Sequence, residues 1–188
     1  MVKIILSDIM NAVWLYGWYA LIFAALIIVL ILIIAIIYHK NDNKSFKDIL
    51  GQSRYTLTLC YVFFAYLFLV ISITLLCRPS GSRMGIDLVL FSTFSSNFLE
   101  SRYPIENILL FIPYGLLVPN LWTPLRKIYL CIGTGFVFSI SIEVIQLITK
   151  RGYFQLDDIF TNVAGVIMGF AVNYIFIAAD PLKKKLVK

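Results

Sequence analysis

The sequence predicts an all-α, polytopic membrane bundle of about five transmembrane helices. Of its 188 residues, 61% are hydrophobic and 14% are charged, whereas soluble domains average about 25% charged residues. The mean hydropathy is +0.90, and apolar runs of spanning length recur along the chain. Sixteen lysines and arginines outnumber ten acidic residues. They cluster at the ends of the apolar runs, which indicates contact with anionic lipid rather than with nucleic acid.

The first two spans are predicted over residues 14–38 and 55–77. The first apolar run is too long for a signal peptide and lacks a small-residue cleavage site, so we expect a retained anchor. Its start carries aromatic residues typical of a membrane interface, namely Trp14, Tyr16, Trp18 and Tyr19. The single histidine, His39, has no cysteine or histidine at ligand spacing, so we expect no metal there.

Residues 78–103 separate the second span from the third. This stretch opens with the turn signature PSGSRMG, and its apolar middle is too short to cross a bilayer. We therefore predict an interfacial or re-entrant segment over residues 86–98.

Three further spans follow, at about 104–122, 128–148 and 158–178. Because Pro113 lies inside the third span, we expect that helix to be short and kinked. The fourth span ends at Lys150-Arg151-Gly152, which supplies cations and a glycine for the helix cap. The predicted regions are a two-span anchor (1–77), a three-span membrane domain (78–178) and a basic tail (179–188).

Cations are unequally divided between the two faces of such a bundle. Ten belong to the loop 39–54, the loop 122–127 and the tail, and six lie on the opposite face. The positive-inside rule then predicts a cytoplasmic C-terminus and an external N-terminus. In this arrangement the turn around Gly152 is outside.

Polar side chains interrupt the apolar fourth span. Ser139, Glu143 and Gln146 repeat at helical spacing and therefore share one face. An unpaired carboxylate at membrane depth either becomes neutral or pairs with a cation. We expect Arg151 or Arg102 to be the partner of Glu143.

The fifth span carries a matching polar face. Asp158 and Asn162 share it with Gly165 and Gly169, a GxxxG pair that permits close helix packing and offers a route to a homodimer. Asn107, in the first turn of the third span, is expected to supply a third wall. Together these residues predict a polar pocket at the outer end of the bundle.

The motifs of this region resemble the VanZ-like family of membrane proteins. The resemblance covers residues 104–170 and rests on four motifs in order: Asn107-x-x-x-Phe111-x-Pro113-x-Gly115, then Ser139-x-x-x-Glu143-x-x-Gln146, then Arg151, then Asp157-Asp158-x-x-x-Asn162-x-x-Gly165-x-x-x-Gly169. It implies a protein of the bacterial cytoplasmic membrane, mainly in Gram-positive bacteria. It also implies a role in reduced susceptibility to glycopeptide antibiotics, teicoplanin and related lipoglycopeptides in particular.

The residues leave two functions open. In the first, the outer pocket binds an amphiphile, either a lipoglycopeptide or a lipid-linked cell-wall precursor. Its binding groups are Asn107, Ser139, Gln146 and Asn162 as hydrogen-bonding side chains, with Arg102 and Arg151 for an anionic group. In the second, a membrane-embedded hydrolase or transferase modifies an envelope lipid or glycan, with Glu143 as acid or base and Asp158 orienting it. Membrane lipids are expected partners, and the sequence identifies no cofactor.

Each of these polar residues also has a structural interpretation. Asp157 and Asp158 are typical of a helix start. The amides of Gln146 and Asn162 are typical of hydrogen bonds between membrane helices. For Glu143, the corresponding interpretation is an ion pair that only holds helices together.

Overall fold

The computed structural model describes residues 2–39, 46–81, 85–91 and 102–179. Its long helices are α1 (Val2–His39), α2 (Phe46–Ile71), α3 (Arg102–Leu121), α4 (Ile128–Ile148) and α5 (Leu156–Ala179). All five are long and apolar enough to cross a membrane. The predicted all-α, multi-pass architecture is therefore confirmed, while the division into an anchor and a domain stays a prediction.

The predicted helix limits were accurate in the second half of the chain and too narrow in the first. α4 has the predicted limits, but α1 begins at Val2 rather than near Trp14. With 38 residues, α1 is about 57 Å long at 1.5 Å per residue. A bilayer core is about 30 Å thick, so α1 must tilt or extend beyond the hydrocarbon.

α3 and α5 run in parallel and make the closest helix contact of the described chain. A Cβ added at Gly165 or Gly169 would collide with the carbonyl oxygen of Ile108 or Ile112, and one added at Gly115 would lie 2.6 Å from the backbone nitrogen of Phe170. The GxxxG pair therefore packs within one chain, and the predicted route to a homodimer through these glycines is occupied by α3.

The buried core lies between α2, α3, α4 and α5. Phe111, Val118 and Val166 are fully buried there, and Tyr114 stacks on Phe138 with ring centroids 5.6 Å apart. Large apolar side chains such as these fill much of the space between the helices. This packing fixes the ends of the helices that form the site.

α1 joins the bundle mainly through α2. Ala20 and Ala24 are buried against Ala65, and Phe23 packs on Phe68 with ring centroids 5.2 Å apart. Small residues let these two helices approach closely. The contact holds the middle of α1 and leaves its N-terminal turns beyond it.

The turn between α4 and α5 differs from the predicted glycine cap. The residue with left-handed backbone is Lys150, at φ 55°, rather than Gly152. The backbone N–H groups of Lys150 and Arg151 donate to the carbonyls of Leu147 and Gln146, which is the hydrogen-bond pattern of a Schellman motif. At position 152, a glycine is required because a side chain has no room there: an added Cβ would lie 2.7 Å from Oε1 of Gln146.

Residues 85–91 pack against this turn without forming a helix. The short strand β1 (Ile86–Asp87) pairs in parallel with β2 (Phe154–Gln155), and the backbone N–H of Phe91 donates to the buried carboxylate of Asp157. The segment predicted at 86–98 is thus attached to the start of α5. Residues 92–98 lie outside the described part, and the interfacial position stays a prediction.

Candidate functional site

A cavity of about 600 Å³ lies between α1, α2, α3 and the start of α5. Its polar lining includes Asp8, Arg78, Glu106, Asn107, Gln155 and Asp158. Its apolar lining includes Ile9, Val13, Leu69, Val70, Leu109 and Leu110. Pockets of 300–1,000 Å³ with a few polar groups are typical of sites for small molecules.

The polar groups gather at one end of the bundle, the end that carries the α4–α5 turn. Arg78 lies beyond the end of α2, past the apolar residues Leu69 and Val70 of that helix, and on α3, Asn107 precedes Leu110. Hydrogen bonds described below join these helix ends to one another. The cavity therefore has a polar end and an apolar interior.

Asn107 and Asp158 meet at the polar end, on neighbouring helices. Nδ2 of Asn107 donates to Oδ1 of Asp158 at 2.8 Å, and both residues line the cavity. The sequence placed these two residues in one pocket, and the structure brings them into contact.

Among the described side chains, Arg78 is the cation that acts on both Glu143 and Asp158. Its guanidinium interacts electrostatically with Glu143 and with Asp158, and it lines the cavity. The prediction that Arg151 pairs with Glu143 is wrong, because the Arg151 guanidinium donates to two backbone carbonyls instead. The side chain of Arg102 lies outside the described part of the structure.

Those two carbonyls belong to Leu75 and Arg78, at 2.8 and 2.9 Å from Nη1 of Arg151. Leu75 lies within a π-helical turn, Ser72–Leu76, that follows α2, and Arg78 comes two residues after this turn. A π turn leaves carbonyls out of the regular α-helical pattern, so Arg151 satisfies acceptors that the helix has released. Arg151 does not line the cavity, and its contacts fix the backbone that carries Arg78.

Gln146 performs a similar task one turn earlier on α4. It is 2% exposed, and its Nε2 donates to the carbonyl of Thr74 at 3.1 Å. Among the described residues its Oε1 has no hydrogen-bond partner. Gln146 does not line the cavity, whereas its partner Thr74 does, and the predicted contact of Gln146 with a substrate stays a prediction.

Glu143 lies directly behind the cavity wall. It is 1% exposed, and its Oε2 accepts the backbone N–H of Gln155 at 3.0 Å. Gln155 in turn lines the cavity. Glu143 therefore reaches the cavity through Gln155 and through its interactions with Arg78 and Asp158.

Ser139 and Asn162 form a separate pair deeper in the bundle. Nδ2 of Asn162 donates to Oγ of Ser139 at 2.9 Å, and both side chains are buried. Neither lines the cavity. The geometry matches the structural interpretation of these two residues, a hydrogen bond between α4 and α5.

Sequence reasoning missed Asp8, Arg78 and Glu106 as lining residues. Asp8 was detectable, because it is the one acidic residue in the otherwise apolar α1, and such residues mark functional sites in membrane helices. Arg78 gave no such signal, since a cation after a span is ordinary. In the described ranges, no group of three His, Cys, Asp or Glu side chains is arranged to hold a metal ion.

The fold and the cavity define a small multi-pass membrane protein with a polar-ended site between its helices. The VanZ/LLP1 family model matches residues 18–177, which is most of the chain. The chain belongs to the VanZ/LLP1 family, a family associated with resistance. No curated protein and no solved structure shows significant similarity to it.

Proposed function

We propose that this protein contributes to lipoglycopeptide resistance by binding an amphiphile in the cavity. The ligand is a teicoplanin-type antibiotic or a lipid-linked wall precursor, both of which join an apolar tail to a polar head. The observation that carries this proposal is the division of the cavity into a polar end and an apolar interior. Arg78, Asn107 and Asp158 lie at the polar end, and Leu69 and Leu110 lie further in.

The two ends of the cavity contribute differently to binding. An acyl chain that arrives from the bilayer leaves an apolar environment, so its burial gives little hydrophobic free energy. Affinity then depends on the polar end, where Arg78 takes an anionic group of the ligand and Asn107 and Asp158 accept or donate hydrogen bonds. The apolar interior selects by shape.

We place the polar end on the outer side of the bacterial cytoplasmic membrane, with the N-terminus outside. The unequal distribution of cations supports this orientation. A membrane-impermeant maleimide tests it, using single cysteines at Tyr153 and Thr123 in a variant whose Cys60, Cys77 and Cys131 are replaced by alanine. Both positions are exposed, at opposite ends of the bundle. We expect Tyr153→Cys to be labelled in intact cells and Thr123→Cys only after lysis, and the reverse result would overturn the orientation.

Asn107→Ala tests the binding function, with Asn120→Ala as the matched control. Asn120 bonds Asn173 at 2.8 Å between the same two helices but does not line the cavity. Variants are expressed in a teicoplanin-susceptible bacterium for inhibitory concentrations, and they are purified in nanodiscs for teicoplanin titration. We expect Asn107→Ala to lower affinity and resistance by about tenfold, equivalent to about 1.4 kcal/mol, and Asn120→Ala to retain both. Full binding by Asn107→Ala would refute the proposal.

A second candidate is a membrane-embedded hydrolase or transferase acting on an envelope lipid or glycan. The interaction between the Glu143 and Asp158 carboxyl groups favours it, because paired carboxyls can share acid and base roles. Glu143→Gln separates the two functions. Full resistance with this uncharged amide would exclude acid–base chemistry at Glu143. Loss of resistance with unchanged teicoplanin affinity would favour the enzyme.

A further inference from the structure

We propose that residues 8–13 of α1 form a selectivity wall, which determines which acyl-bearing ligands the cavity accepts. The inference rests on the proposed function, since it concerns the same cavity. It adds a specificity-determining element in a part of the chain where neither the motifs nor the family match places a site.

The wall consists of one face of an uninterrupted helix. Asp8, Ile9, Ala12 and Val13 line the cavity, and their spacing of i, i+1, i+4 and i+5 puts them side by side. They belong to α1, which is helical from Val2 onward. Three of the four side chains are apolar, so the wall is suited to a hydrocarbon chain.

The wall lies outside the range that matches the family. The match begins at residue 18, whereas the lining residues of α2, α3 and α5 all fall within 18–177. The family match therefore covers the polar-end residues Asn107 and Asp158 and does not reach residues 8–13. A wall free of that pattern is where this chain can adapt to its own ligand.

Contacts along α1 fix the level of the wall relative to the other helices of the bundle. Below it, Ala20 and Ala24 pack on Ala65. Between these contacts and the wall, the Tyr16 side chain lies beside that of Cys77. Cys77 directly precedes Arg78, so the wall, which begins one turn above Tyr16, flanks the polar end. It therefore faces the part of a ligand next to the polar head.

Ala12 has the smallest side chain of the wall and leaves room beside the head of a ligand. A phenylalanine there would extend into the cavity and exclude ligands that are bulky beside the head. A glycine would widen the same place. The wall thus predicts opposite effects of the two substitutions on a large ligand, which a change in folding alone does not produce.

The test compares Ala12→Phe and Ala12→Gly with Met10→Phe in nanodiscs. Met10 is 68% exposed and points away from the cavity. The probes are teicoplanin and a matched glycopeptide without an acyl chain. We expect Ala12→Phe to lower teicoplanin affinity about tenfold, Ala12→Gly to raise it, and Met10→Phe to leave it unchanged. The acyl-free probe should respond less to all three variants.

The outcomes separate this inference from the proposed function. If Asn107→Ala loses teicoplanin binding while both Ala12 variants bind like the wild type, the wall is wrong and the cavity function stands. If Asn107→Ala binds normally, the proposed function fails first. If Ala12→Phe does not fold, Ala12→Gly decides the question. The ratio of its affinity for teicoplanin to its affinity for the acyl-free glycopeptide should then differ from the wild-type ratio, and an unchanged ratio contradicts the wall.

Discussion

The carboxamide of Asn107 donates a 2.8 Å hydrogen bond to the carboxylate of Asp158, and it joins α3 to α5 at the polar end of the cavity. Asp158→Asn keeps an acceptor for this bond, whereas Asp158→Ala removes it. We therefore expect Asp158→Ala to be less stable than Asp158→Asn by about 1 kcal/mol, the usual value of a hydrogen bond between membrane helices. Unfolding in detergent micelles measures the difference. Equal stabilities would show that the bond contributes nothing.

The glycines between α3 and α5 should tolerate no side chain. Gly165→Ala and Gly169→Ala insert a methyl group into a backbone contact, and overpacking of this kind costs about 1–3 kcal/mol or more. Gly133→Ala is the control, since open space surrounds Gly133 on α4. There we expect no loss, or a gain of up to about 1 kcal/mol from helix propensity. Thermal unfolding compares the three variants, and equal melting temperatures would contradict the packing.

Removal of Arg78 should be rescued by removal of its carboxylate partner. Arg78→Gln removes the cation that interacts electrostatically with the buried Glu143 carboxyl group, so we expect it to lower the stability of the protein. We expect the double variant Arg78→Gln/Glu143→Gln to recover part of this loss. Arg151→Gln loses hydrogen bonds to carbonyls, so Glu143→Gln should not rescue it. Two double-mutant cycles measure the coupling, and equal coupling energies would refute the assignment of Arg78.

The left-handed backbone of Lys150 predicts a stabilising substitution. Its φ is 55°, a conformation that glycine adopts without steric cost, so Lys150→Gly should stabilise the protein by up to about 1 kcal/mol. Thr149→Gly is the control, because Thr149 has helical φ of −81° and gains nothing from glycine. We expect the melting temperature to rise for Lys150→Gly and to fall for Thr149→Gly.

The sequence predicted the helices well where apolar runs ended at polar residues or prolines. It failed at α1, because four polar residues interrupt the apolar run before Trp14 although none of them is a helix breaker. Helical spacing placed Asn107 and Asp158 in one pocket, because both lie within two turns of a helix start at the same end of the bundle. It could not assign Arg78, whose position depends on the π turn and on contacts from Arg151 and Gln146. Such contacts join residues about seventy positions apart and leave no periodic signal.

The glycine contact between α3 and α5 also determines which side of the cavity can deform. Helices that touch through backbone atoms have no layer of side chains to rearrange, so that half of the bundle acts as a stiff frame. Differences in ligand volume must then be absorbed by α1, which meets its neighbour through alanines and aromatic rings. The α3–α5 side of the cavity is thus expected to be rigid, and the α1 side is expected to move more easily.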